Sequence, residues 1–195
     1  MKHEVTSMNT KKKLSASLKK FMEHKKLSKI SVSEIVADCK VNRKTFYYHF
    51  SDIYDLLKWT LEQETVEVLK NFGLLSNPEE ALVFVADYVD SNLHILNCAY
   101  DSMGRDEMKR FFFADFKGVI LSAIETCEEE QGRKISDGLR KYLSEFYTEA
   151  LAGTLINYFR NKKSVNRDEM IKYTLLILRA SIPHIISESE DYGSM

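Results

Sequence analysis

From Arg43 to Phe50 the chain reads RKTFYYHF, placing cations, a hydroxyl, two phenols and an imidazole side by side. These groups suit the two chemistries offered by a DNA duplex. Arg43 can pair bidentately with a guanine or bind a phosphate, and Lys44 and Thr45 can reach base edges. Tyr47, Tyr48 and His49 can donate hydrogen bonds to phosphates, contacts that position a protein but carry little sequence information. Such side chains work together only when one short helix presents them to the major groove and an earlier helix holds that helix in place.

The flanking residues supply those elements. Ser31 followed by Glu34 is a capping-box pattern, so a short second helix starts there and buries Ile35 and Val36. Lys40-Val41-Asn42 reads as the turn, and Asn42 as the N-cap of a third helix over residues 43–50. Phe46 and Phe50 face inward on that helix, and Tyr47 is expected half-buried with its hydroxyl outward. Upstream, Leu14, Leu18, Phe21 and Met22 recur at helical spacing and predict a first helix over about residues 10–24. Ser51 is read as the cap of a long fourth helix through Leu56, Leu57, Leu61 and Leu69, ending near Phe72-Gly73.

Charge falls where this reading needs it. Residues 1–50 hold 12 Lys/Arg against 4 Asp/Glu, a local charge of +8, whereas residues 51–195 hold 16 against 25, a local charge of −9. Phosphate neutralisation needs clustered cations, and they cluster on the segment carrying the motif. An apolar fraction of 44% can fill a core, while two prolines and seven glycines among 195 residues predict an almost wholly helical chain. No apolar run is long enough to span a membrane, and the first residues lack a signal-peptide core, so a cytoplasmic protein is expected. Cys39, Cys98 and Cys127 are odd in number and far apart, which fits reduced thiols.

The strings Ile30-Ser31-Val32, Thr45-Phe46-Tyr47-Tyr48-His49-Phe50 and Ser51-Asp52-Ile53-Tyr54-Asp55-Leu56-Leu57 resemble the DNA-binding region of the TetR family of bacterial transcriptional regulators. The resemblance covers residues 10–60. It implies base-edge contacts from Ser33, Arg43, Lys44 and Thr45, and phosphate contacts from Ser31, Tyr47, Tyr48 and His49. The chain departs from the family pattern at three places. Lys40 stands where the turn usually has glycine, so a non-glycine must adopt a conformation that favours glycine. Lys44 stands where a small residue is common, and Ile53 where a lysine usually opens the fourth helix. Lys11, Lys12, Lys13 and Lys44 are available to supply the missing phosphate contact.

Residues 1–52 are accordingly expected to form the helix-turn-helix DNA-binding domain, and residues 53–195 an effector-binding and dimerisation domain. In the second region Asn77-Pro78-Glu79-Glu80 is a strong helix start. Further helices are expected over about 92–100, 104–130, 136–160 and 166–187, with EEEQGRK as a polar loop and Pro183 kinking or ending the last. The count is nine helices and no strands, an all-α protein.

The helices at 136–160 and 166–187 are apolar around more than one stripe, which suggests a four-helix bundle across a two-fold axis. Phe146, Ala150, Leu151, Gly153, Leu155, Ile171, Leu175, Leu178 and Ile182 are its expected contacts, making the protein a homodimer matched to a palindromic operator. The segment FYTEALAGTLINYF is similar to the C-terminal region of a subgroup that includes the activator of dihydroxyacetone-kinase operons. A small-molecule effector pocket, which the family implies, is placed at Tyr88, Asn92, His94, Asn97, Phe112, Phe116 and Tyr147. The alternative keeps the fold and replaces the small molecule by a partner protein acting on a filled core. Ser-His-Asp order, phosphate-cradling glycines and paired carboxylates are not evident, and His94 with Cys98 lacks further metal ligands. No catalytic role, metal or cofactor is therefore expected.

Overall fold

A computed structural model describes residues 2–71 and 78–192. Among them the chain forms eight α-helices and a single 3-10 turn, with no strand. They are α1 (Lys2–Met22), the 3-10 turn at Leu27–Lys29, α2 (Val32–Asp38), α3 (Arg43–His49), α4 (Ile53–Asn71), α5 (Pro78–Ser91), α6 (Leu93–Gln131), α7 (Asp137–Arg160) and α8 (Arg167–Tyr192). The expected helix end at Phe72-Gly73 and the cap at Asn77 lie outside the described residues.

Eight helices replace nine for a local reason. Residues 92–100 and 104–130 form the one run α6, whose backbone leaves helical geometry only at Gly104 (φ 82°, ψ 174°). Those angles are open essentially to glycine alone, so a single residue turns the chain without a loop. Pro183 does not end α8, which continues past it to Tyr192. EEEQ is helical and not loop, because α6 runs to Gln131. The cap of α4 is Asp52, whose carboxylate accepts the Asp55 amide at 2.8 Å, while Ser51 donates its amide to Asp55 at 2.9 Å.

The chain divides into two compact units, one of residues 1–67 with 92–104, the other of residues 68–91 with 105–195. Packing thus groups the start of α4 and of α6 with the first three helices, whereas the motif alone suggests a cut at 52/53. The first unit is built on Leu14, Leu18 and Met22 of α1, Ile35 of α2, Phe46 of α3 and Leu56 and Leu57 of α4, each fully buried. Truncating a side chain such as Phe46 to alanine costs about 3–5 kcal/mol in a core of this kind. The Leu27 amide donates to the buried Cys98 Sγ at 3.3 Å, tying α6 to the turn after α1.

In the second unit Ile120, Ile124, Leu143, Tyr147, Ile182 and Ile186 form a core shared by α6, α7 and α8. The Tyr147 hydroxyl donates to Ser181 Oγ at 2.6 Å and fixes the register of α7 against α8. Two carboxylates, the buried Glu128 and the exposed Asp90, join elements of this unit. Glu128 accepts two bonds from Arg140, at 2.8 and 3.0 Å, and the Ile135 amide at 2.8 Å. Burial disfavours its charge, but these donors hold its carboxyl below the ordinary value. Asp90 accepts the Tyr158 hydroxyl at 2.8 Å and pairs with Lys162, joining α5 to the end of α7. Their partners lie 12 and 68 residues away, beyond any local pattern.

Candidate nucleic-acid interface

The capping box that opens α2 forms as read. Ser31 Oγ accepts the Glu34 amide at 3.3 Å, and Glu34 Oε2 accepts the Ser31 amide at 2.9 Å. Lys25 adds an ion pair to Glu34 at 2.5 Å, and Lys20 pairs with Asp38 at 2.6 Å, fastening α1's end to α2. The hydrogen bond from Lys25, followed by those from Ser31, holds the Glu34 carboxyl down to about 2.

The turn is closed by two backbone bonds, Val41 N to Val36 O at 3.0 Å and Lys40 N to Ala37 O at 3.2 Å. This is the pairing of a Schellman cap. It requires a left-handed residue, and Lys40 takes that place with φ 54°. Asn42 then caps α3, its carboxamide oxygen accepting the Thr45 amide at 2.7 Å. Phe46 and Phe50 are buried as expected, and they fix which side of α3 faces outward.

On that outward side Arg43 and Lys44 are exposed. Tyr47 is 58% exposed, more open than the half-buried position expected, with its ring edge-on to Phe46 at 5.5 Å. Tyr48 is 81% exposed. His49 is partly buried beside it, ring centroids 4.9 Å apart. Burial first, and then the Lys11 ammonium, hold its imidazole below the ordinary value, so near pH 7 His49 offers a neutral N–H. Lys11 itself lies over the rings of Phe50 and Trp59 at 5.5 and 5.6 Å. Trp59 was not legible in the sequence, because a cation–π contact between α1 and α4 has no signature in spacing.

Four of the expected contact residues are engaged within the protein. Ser31 donates its hydroxyl proton to Glu34 at 2.8 Å, and Thr45 donates its own to Asn42 at 3.0 Å. Ser33 accepts a hydrogen bond from the Arg43 guanidinium. Ser31 and Thr45 therefore retain only acceptor lone pairs, and Thr45 its methyl group, for anything outside.

The seven residues read as an effector pocket are drawn from both compact units. Asn92, His94 and Asn97 belong to the first compact unit, and Tyr88, Phe112, Phe116 and Tyr147 to the second. His94 is exposed, the Asn97 amide donates to Leu93 O at 2.9 Å, and the Tyr147 hydroxyl is bonded to Ser181. Phe112 is buried and stacks on Phe116 at 6.0 Å. The second unit instead carries an open groove of about 700 Å³ between α5 and α8. Val83, Ile171, Leu175, Leu176 and Ala180 contribute apolar surface to it, and Glu79, Arg167, Asp168, Lys172 and Arg179 supply the charges.

The expected dimer contacts also separate. Phe146 and Ala150 are exposed, and Leu151, Gly153 and Leu178 are partly buried. Leu155, Ile171, Leu175 and Ile182 are already buried within the chain, so they serve its own core and leave little for a second copy. Exposed in their stead are Tyr142 on α7 and Tyr173, Leu176 and Ile177 on α8. Their i, i+3 and i, i+4 spacing was visible in the sequence; what sequence alone cannot settle is which of two apolar stripes turns inward.

Residues 76–180, more than half of the chain, match a TetR-type family described as a transcriptional regulator C-terminal region. The chain is 29% identical over 86 residues to the HTH-type dhaKLM operon transcriptional activator DhaS of Lactococcus lactis subsp. lactis (strain IL1403). That alignment covers 44% of this chain and 46% of the relative, about half its length. A solved structure of a dihydroxyacetone kinase operon activator, DhaS, superposes with a TM-score of 0.70 at 20% identity, covering 89% of this chain and 96% of that one. A second structure, NalD, the secondary repressor of the MexAB-OprM multidrug efflux pump in Pseudomonas aeruginosa, gives 0.52 at 16% identity, covering 89% and 95%. At these identities the two structures speak for the fold alone.

Proposed function

The chain belongs to the TetR-type transcriptional regulators, and we propose that it binds a palindromic DNA operator as a homodimer whose affinity is set by a small-molecule effector. The observation that carries this reading is the outward face of α3. Arg43, Lys44, Tyr47 and Tyr48 stand exposed on one capped helix within a segment of local charge +8. A basic helix of this kind matches both the charge and the groove width of a duplex.

Residues 1–52 supply the DNA contacts in this proposal, and residues 53–195 the dimer and the effector site. Tyr142, Phe146 and Ala150 on α7, with Tyr173, Leu176 and Ile177 on α8, present apolar surface that a second copy would bury. Two-fold pairing would set two recognition helices one DNA turn apart, about 34–36 Å. Beside the aromatic set read in the sequence, the groove between α5 and α8 is a second candidate for the effector site. Its volume of about 700 Å³ falls inside the usual range for small-molecule sites, roughly 300–1,000 Å³. An effector acts there only through a difference in its affinity for the DNA-competent and DNA-incompetent states.

The test is genome-wide mapping of bound DNA, followed by anisotropy titration of the recovered duplex with the full-length protein. We expect saturable binding to a two-fold symmetric site, and metabolites of the adjoining operon that change its affinity. Absence of any enriched symmetric site would overturn the reading.

A further inference from the structure

We propose that Ser33 is a positioning residue for sequence reading: through its hydroxyl it sets the Arg43 guanidinium to recognise a guanine at one base pair of each operator half-site. The inference rests on the DNA-binding reading above and deepens it, since it assigns a specific base and divides the labour between two side chains.

The geometry begins with the backbone. Ser33 lies in the first turn of α2 and Arg43 is the first residue of α3. Both helix starts are fixed, α2 by the Ser31–Glu34 capping box and α3 by the Asn42 cap. Between them the Schellman turn at Lys40 leaves little freedom in how the helices cross. The base of the Arg43 side chain is therefore held before DNA arrives. Its far end would still sweep a wide arc, as a long exposed side chain does. The bond from Arg43 Nη2 to Ser33 Oγ removes that freedom.

The donor count permits both partners at once. A guanidinium carries five N–H donors in a planar fork, and Ser33 takes one of them. An adjacent pair remains to meet guanine N7 and O6, the two acceptors that distinguish guanine in the major groove. A phosphate needs no such preset angle, because its oxygens accept from many directions. An arginine fixed by a neighbour at the N-terminal end of the recognition helix is better suited to a base edge. The contrast with Lys44 next to it is direct: exposed, with a point charge and no planar fork, it suits phosphate.

Ser33, which the family resemblance made a base contact in its own right, thus acts through Arg43. The arrangement also accounts for a hydroxyl that is partly buried while the guanidinium it holds is exposed.

The experiment is selection of binding sites from a randomised duplex library by the full-length protein, with competition titrations at each position. Wild type is compared with Ser33→Ala, Ser33→Thr, Arg43→Ala and the double alanine variant. Wild type should prefer guanine at one position per half-site on the order of 10- to 100-fold, the usual worth of a bidentate pair. Arg43→Ala should abolish that preference, and Ser33→Ala should lower it about three- to tenfold at the same position only. The double variant should match Arg43→Ala, and Ser33→Thr, which keeps the hydroxyl, should restore the wild-type pattern. Helicity and thermal midpoint, measured alongside, show whether a variant remains folded; Ser33→Val, which has the shape of threonine without its hydroxyl, carries the comparison against Ser33→Thr should the alanine variant unfold. A guanine preference untouched by Ser33→Ala, or a uniform loss across all positions, would overturn the proposal while leaving the DNA-binding reading in place. A wild-type protein that enriches no sequence would remove both.

Discussion

The Val41 amide donates to the Val36 carbonyl at 3.0 Å across Lys40, whose φ of 54° is the only positive value at a non-glycine among the described residues. The turn of the helix-turn-helix is thus closed by a bond that demands left-handed backbone from a side chain ill suited to it. A left-handed conformation costs an L-residue roughly 1–2 kcal/mol, part of which glycine would return as greater freedom in the unfolded chain. Lys40→Gly should therefore stabilise the protein by about 0.5–1 kcal/mol. Lys40→Val should destabilise it, because a branched Cβ adds to the crowding. Urea midpoints of the two variants on either side of wild type would confirm this; a destabilising glycine would contradict it.

Acid should weaken the first unit through Glu34. Its carboxyl titrates at about 2 in the folded chain against an ordinary 4.5, because Lys25 and Ser31 hydrogen-bond to the charged form. A depressed carboxylate contributes stability that is full above pH 4.5 and is lost as pH falls towards about 2. Asp38 is shifted in the same direction by Lys20. Thermal midpoints recorded across that window should fall more steeply for wild type than for Glu34→Gln. Parallel curves would show that the pair does not form in solution.

The local devices of the reading head were legible because each is written within a few residues. Ser31 with Glu34, Asn42 with Thr45, and Lys40 in a glycine's place are short-range patterns with a single physical solution. What the sequence hid depends on long-range partners. The stripe of α8 that carries Tyr173, Leu176 and Ile177 is apolar beside the one that carries Leu175 and Ile182. Only packing against α5, α6 and α7 decides that the second is core. Tyr147 is among the residues expected at the effector pocket. Its hydroxyl is taken by Ser181, 34 residues on. The kink at Gly104 was half legible: glycine marked the place, but a one-residue break and a loop look alike in sequence.

That distinction between stripes makes the homodimer testable with paired substitutions. Ile177→Glu or Phe146→Glu places a charge on a face open to solvent in the single chain. Each should leave helicity intact and convert a dimer into a monomer, since a charge buried at an apolar contact without a partner is strongly unfavourable. Leu175→Glu should instead unfold the second unit, because Leu175 is buried in its own chain. Sedimentation equilibrium at micromolar concentration with circular dichroism reads both outcomes. A native protein that sediments as a monomer sinks the dimer.

The exposed side chains of α3 should divide into contacts that fix position and one that also holds the fold. Lys44→Ala should lower operator and non-specific affinity alike and reduce the slope of log K against log salt by about 0.9, one phosphate's worth. Tyr48→Ala removes a phenol that is 81% exposed, so its loss should weaken binding without moving the thermal midpoint. The expected weakening is about 1 kcal/mol, the usual net worth of one hydrogen bond. Thr45→Ala should behave differently. Its hydroxyl donates to the Asn42 cap at 3.0 Å, so the variant should lose stability as well as affinity. Thr45→Ser keeps that hydroxyl and should regain the stability, while losing only what the methyl group contributes against a thymine. Salt-dependent anisotropy titrations and thermal melts of the four variants separate these roles. A Thr45→Ala protein as stable as wild type would show that Asn42 caps α3 unaided.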